Sequence, residues 1–113
     1  MAIYINTDNP QRFVRRIREL VREDEISAWA LDEDNDFTHT SPQWGGRAWI
    51  HPVIEEDRVV FAIIGSLNEP ITRLIYSIYM GRFLECLLMH MDRFFISAKI
   101  SSRPSSKYDV TIE

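Results

Sequence analysis

Arg58-Val59-Val60-Phe61-Ala62-Ile63-Ile64, residues 58–64, is the stretch on which the fold turns. Six consecutive apolar residues, rich in β-branched side chains, sit between Glu55-Glu56-Asp57 and Gly65. A short apolar run bounded by turn residues reads as a strand buried on both faces, at the centre of a sheet. Such a strand needs cover on both sides, so the rest of the chain is read for what supplies it.

On the C-terminal side, residues 65–69 form a connection, and Pro70 is expected to open a helix running to about Phe94. Ile71, Leu74, Ile75 and Ile78 make one stripe on it. Met80, Phe83, Leu84, Leu87, Leu88 and Met91 continue the apolar surface around much of the cylinder. A helix this apolar is expected to be buried on more than one side. Ser77 and Gly81 are one turn apart on one face. Glycine costs a helix about 1 kcal/mol relative to alanine, so a close packing partner is expected there. Beyond the helix, Ile96, Ala98 and Ile100 alternate with Ser97, Lys99 and Ser101, the pattern of a half-buried strand. Residues 102–113 read as a linker and then either an edge strand or a frayed end.

On the N-terminal side, residues 47–54 read as a strand containing Pro52. Proline cannot donate to a ladder, so this strand is expected at a sheet edge or to end there. Residues 27–31 and 37–40 flank the polar turn Asp32-Glu33-Asp34-Asn35-Asp36 and are expected to form a hairpin. Alternation places Trp29 with Leu31, and Phe37 with His39. Asn9 and Pro10 open the first helix as N-cap and first helical residue. Phe13, Val14, Ile17, Leu20 and Val21 form its apolar stripe, and Arg12, Arg15, Arg16, Arg18 and Arg22 its solvated face. Arg15 and Glu19 are spaced for an ordinary surface ion pair. Ile3-Tyr4-Ile5 belong to a first strand over 2–6.

The order is β-α-β-β-β-β-α-β. Hairpin spacing in the middle predicts a largely antiparallel sheet of five to six strands, with two helices on one face, in a single α+β domain over 1–113. At 113 residues and 45% apolar content the chain can bury a core without disulfides or metal.

Charge narrows the function. A net charge of −4 disfavours nucleic acid as a partner. No window is apolar enough to predict a membrane span. The single cysteine, Cys86, and an N-terminus without a leader-like apolar core suit the cytoplasm. The charge is also divided: residues 10–22 hold five arginines, and residues 23–36 hold seven acids and no base.

Sites are weighed on their chemistry. Asp32, Asp34 and Asp36 have the spacing that opens a calcium loop. Phe37 stands where that loop needs glycine, and Gln43 where it needs a bidentate glutamate, so a solvated acidic turn is expected. Cys86 and His90 are one turn apart, but a structural zinc site needs four ligands and no second pair has suitable spacing. No phosphate-binding, nucleophile-elbow or metalloprotease motif occurs. Neither metal nor cofactor is expected. Arg47, Trp49 and His51 share one strand face, and with Trp29 or His39 from a neighbouring strand they are an alternative ligand patch.

The leading expectation is a non-catalytic protein-binding domain of the inhibitor or immunity type. Its acidic turns, Asp32, Glu33, Asp34 and Asp36 with Glu55, Glu56 and Asp57, would meet a basic protein partner. The alternatives are a small ligand-binding domain or enzyme using the Arg47, Trp49 and His51 face, and a homodimeric structural protein.

Overall fold

A computed structural model describes residues 2–66 and 69–102. The elements follow the expected order: β1 (Ala2–Asn6), α1 (Pro10–Arg22), β2 (Trp29–Leu31), β3 (Phe37–His39), β4 (Ala48–Ile54), β5 (Arg58–Gly65), α2 (Arg73–His90), a 3-10 turn (Asp92–Phe94) and β6 (Ser97–Ile100). The six strands form one antiparallel sheet in the order β2-β3-β4-β5-β1-β6. The reading of residues beyond Ser102 as an edge strand or frayed end lies outside the described residues.

The apolar stretch at 58–64 is interior as expected. Val59, Phe61 and Ile63 join Ile3, Ile5 and Ile50 in a core that both helices cover from one side. Phe61 stands 6.1 Å from Phe13 of α1 and 4.9 Å from Phe83 of α2, ring centre to ring centre. Val60 and Ala62 point to the opposite face and are also buried. The stripe of α1 is buried as its spacing predicts, and the Asn9 side chain accepts from the Arg12 amide.

Several local expectations give way. Pro52 does not put β4 at an edge: β4 lies between β3 and β5 and runs through it. The Glu55 amide bonds to the Arg58 carbonyl, which sets the phase of the β4–β5 ladder. In that phase the nitrogen of residue 52 points toward β3. The β3 ladder, paired at Phe37 with Ile50, has already ended there, so the missing N–H removes no bond.

The second helix is shorter at both ends than the spacing predicts. Thr72 caps it by accepting from the Ile75 amide, which leaves Pro70 outside. Ile71 instead folds against Gly65, where a Cβ would lie 2.8 Å from the Ile71 Cγ1, so that close approach requires glycine. At the other end the 3-10 turn aims Phe95 at Phe13, 5.9 Å away, and the Thr7 hydroxyl donates to the Phe94 carbonyl at 2.6 Å.

Nor is α2 buried all round. It is the outer layer of a two-layer structure, so Leu74, Leu88 and Met89 are exposed. A Cβ on Gly81 would meet nothing within 4 Å, so no packing within the described chain demands that glycine. The strand β6 is exposed along its whole length rather than half-buried. It lies at the sheet margin beyond β1, while the helices lie over β1, β2, β4 and β5.

Candidate functional site

The antiparallel order decides where the charged turns go. Chain direction reverses at each hairpin, so the β2–β3 turn and the β4–β5 turn leave the same end of the sheet. The loop after β1 reaches that end too, where the Thr7 amide bonds to the Asp57 carbonyl. Glu33, Asp34, Glu56 and Asp57 are exposed there. Asp8 joins them. It reads as a helix-start residue in the sequence, and only the pairing of β1 with β5 brings it to the acidic end.

The other three expected acids are engaged inside the fold. Asp32 Oδ1 accepts from the amides of Asp34 and Asp36, both at 2.9 Å, and so shapes the turn that carries Asn35 at φ 63°. Glu55 pairs with Arg58 Nε at 2.5 Å. Asp36 is buried, with 7% of its surface exposed, and its Oδ1 lies 2.7 Å from His51 Nδ1. The register explains this contact: Phe37 faces Ile50, so the residue before one faces the residue after the other.

The first turn is also met by bases from outside residues 23–36. Arg18 Nε donates to the Asn35 carbonyl at 3.1 Å, and Arg22 Nη2 to Asn35 Oδ1 at 3.0 Å. Arg18 is therefore half-buried rather than solvated. Burial lowers its pKa; Asp36 opposes that and Arg22 adds to it. The expected Arg15–Glu19 pair is replaced by Arg16–Glu19 at 3.4 Å.

The alternative patch does not assemble as expected. Trp29 and His39 pack against each other on the helix-covered face, 5.2 Å apart, and Trp29 also meets Tyr79 and Phe83. Trp49 and His51 point to the opposite face, because Ile50 between them is in the core. Arg47 turns away to lie 5.7 Å over the Trp44 ring, with Glu69 at 3.9 Å. What remains is His51 with its Nδ1 held by a buried carboxylate and half of its side chain exposed.

Cys86 and His90 line a trough of about 630 Å³ on the flank of α2, opposite the segment entering β2. Burial, and then Glu85, raise the Cys86 pKa to about 12. Its thiol stays protonated at neutral pH and is no nucleophile. Iodoacetamide is therefore expected to label Cys86 at the rate of unfolding under mildly alkaline conditions. Labelling much faster than unfolding would contradict this burial. The linkage has a sign: above about pH 9 the unfolded thiol ionises and the folded one does not, so stability falls as pH climbs from there toward 12. His39 also faces the trough. Burial, then the charge of Arg82, lower its pKa and keep the ring neutral at pH 7.

Among the described residues no three His, Cys, Asp or Glu side chains gather to hold a metal ion, and no helix is long and apolar enough to cross a membrane. Comparisons with protein-family models, with curated proteins and with solved structures return no match.

Proposed function

We propose that this protein is a non-catalytic, protein-binding domain of the inhibitor or immunity type, and that its acidic sheet end receives a basic protein partner. The observation that carries the reading is the convergence of Glu33, Asp34, Glu56 and Asp57 on one end of the sheet. Like charges gathered in this way repel one another, and a basic partner relieves that repulsion while gaining association rate from long-range attraction. The cytoplasm suits a chain whose one cysteine is buried as a free thiol.

The structure refines the test. Asp32 and Asp36 hold the hairpin together, so neutralising them confounds charge with folding. The informative variant is Glu33→Gln, Asp34→Asn, Glu56→Gln and Asp57→Asn together. Wild type and variant, used side by side as baits in the native cell extract, are expected to differ in one basic protein retained by the wild type. Its association rate with the variant is expected to fall about tenfold or more at low salt, with the melting temperature nearly unchanged. The difference should shrink as salt rises, since exposed charges are screened over about 8 Å at physiological ionic strength. An association rate equal for the two proteins at low salt overturns the reading.

A further inference from the structure

We propose that the trough beside α2 binds a small basic amino acid, whose carboxylate His39 and Arg82 receive and whose cationic groups Glu85 and Glu25 receive. The site lies apart from the acidic sheet end. His39 closes β3 and residues 25–28 lead into β2, at the end of the hairpin away from the turn at 32–36. The reading above therefore neither requires this site nor falls with it.

Three observations meet at this trough. First, it holds two hydrogen-bond donors that share no acceptor. The Ser41 amide donates to His39 Nδ1 at 3.1 Å, so Nδ1 carries no proton. A neutral imidazole then has its proton on Nε2. Arg82 Nη1 stands 3.5 Å from that Nε2, and a guanidinium nitrogen can only donate. Two N–H groups therefore face each other across a gap that one oxygen can serve. His39 is 7% exposed, and among the described residues its Nε2 has no acceptor. Buried donors are rarely left unmet. Arg82 has no carboxylate within ion-pair distance among the described residues. A negatively charged oxygen answers both groups, because a charged acceptor makes the stronger hydrogen bond.

Second, the trough has the size and lining of a small-molecule site. Its volume of about 630 Å³ falls within the range of about 300–1,000 Å³ that such sites occupy. Ile26, Trp29, Cys86 and Met89 give it apolar walls around the polar groups. Met89 is 72% exposed at the rim, a flexible side chain able to fold over an occupant.

Third, the charges select the occupant. Counting histidine as neutral, the trough holds one base, Arg82, and two acids, Glu25 and Glu85. Neither acid is ion-paired among the described residues. The two carboxylates repel a simple anion such as phosphate. They suit a molecule with one carboxylate and two cationic groups, which is the charge pattern of arginine and lysine. Arg82 and Glu85 are three residues apart on α2, which puts their Cβ atoms about 5–6 Å from each other. One amino acid can set its carboxylate at the first and its α-ammonium at the second. Its side chain then crosses the trough toward Glu25.

The premise is tested without a ligand. Heteronuclear NMR of the His39 ring nitrogens is expected to find the proton on Nε2. A proton on Nδ1 would make Nε2 an acceptor for Arg82 and overturn the site. The occupant is tested with L-arginine, by calorimetry and by NMR shifts, which should concentrate at the His39 ring and at residues 25–29 and 82–90. Agmatine, which lacks the carboxylate, and N-acetyl-L-arginine, which lacks the α-ammonium, are each expected to bind about tenfold more weakly. Arg82→Gln should weaken L-arginine about tenfold without weakening agmatine, whereas Glu85→Gln should weaken both. Both side chains are exposed, so melting temperatures should be unchanged.

Agmatine binding as tightly as L-arginine would reduce the trough to an acidic wall and overturn the carboxylate seat. Equal binding of N-acetyl-L-arginine would overturn the free amino acid in favour of the C-terminal residue of a peptide. Absence of saturable binding by L-arginine at millimolar concentration would leave water between the two donors and overturn the proposal, while the bait experiment still decides the acidic-end reading.

Discussion

Phe83→Ala is expected to destabilise the protein by about 3–5 kcal/mol, the range for removing a large buried aromatic side chain. Phe83 is fully buried, with its ring centre 4.9 Å from Phe61, 5.0 Å from Trp29 and 5.3 Å from Phe37. It therefore ties α2 to the central strand and to both strands of the first hairpin at once. Those neighbours are large and held from several sides, so they cannot collapse into the space that the truncation leaves. Domains of this size are stable by about 5–15 kcal/mol, so much of the total is at stake. Urea melts with an unchanged slope would measure the loss. Leu88→Ala is the control: Leu88 lies on the same helix but is exposed, and its truncation should change stability by less than about 0.5 kcal/mol. Costs in the reverse order would mean that α2 presents its other face to the sheet.

The second large effect is expected at Asp36. Asp36→Ala should cost about 1.5–3 kcal/mol, the range for hydrogen bonds to charged groups. The carboxylate is buried and paired with His51 Nδ1, and Arg18 lies near enough to feel its charge. Without it, the hairpin is joined to β4 by the pairing of Phe37 with Ile50 and by the Thr38 hydroxyl, which donates to the Ala48 carbonyl at 2.9 Å and accepts from the Gly46 amide at 3.0 Å. Asp36→Asn keeps an acceptor at the same place and should cost less. Asp34→Asn, exposed in the same turn, should fall within about 0.5 kcal/mol of wild type. The contrast separates acids that build the hairpin from acids that face a partner. If Asp34 and Asp36 cost the same in thermal and urea melts, the Asp36–His51 pair is not closed in solution.

This division among the acids marks the limit of what residue spacing reveals. A run of seven acids without a base reads as a charged surface, because neighbours in sequence are the only partners visible there. Arg18 and Arg22 reach Asn35 because α1 packs against β2, and Glu55 meets Arg58 across its own turn. His51 and Asp36 are fifteen residues apart and meet through the β3–β4 register. The Arg47, Trp49 and His51 face follows the rule of alternation, which holds for Trp49 and His51. Arg47 precedes the strand, where that rule no longer governs a side chain, and Trp44 draws it away.

By itself the sequence determined the kind and order of the strands and the two α-helices, the buried stripe of α1, and the interior place of residues 58–64. These follow from short-range rules: side chains repeat every 3.6 residues on a helix and every two on a strand, and caps and turn residues mark the ends. Tertiary structure alone decided which acids are exposed, how Pro52 sits inside a sheet, which side of α2 faces solvent, and that two turns and the loop after β1 share one end. Each of these depends on ladder phase and helix placement. Both are set by pairing and packing between residues distant in the chain, so no local window of the sequence contains them.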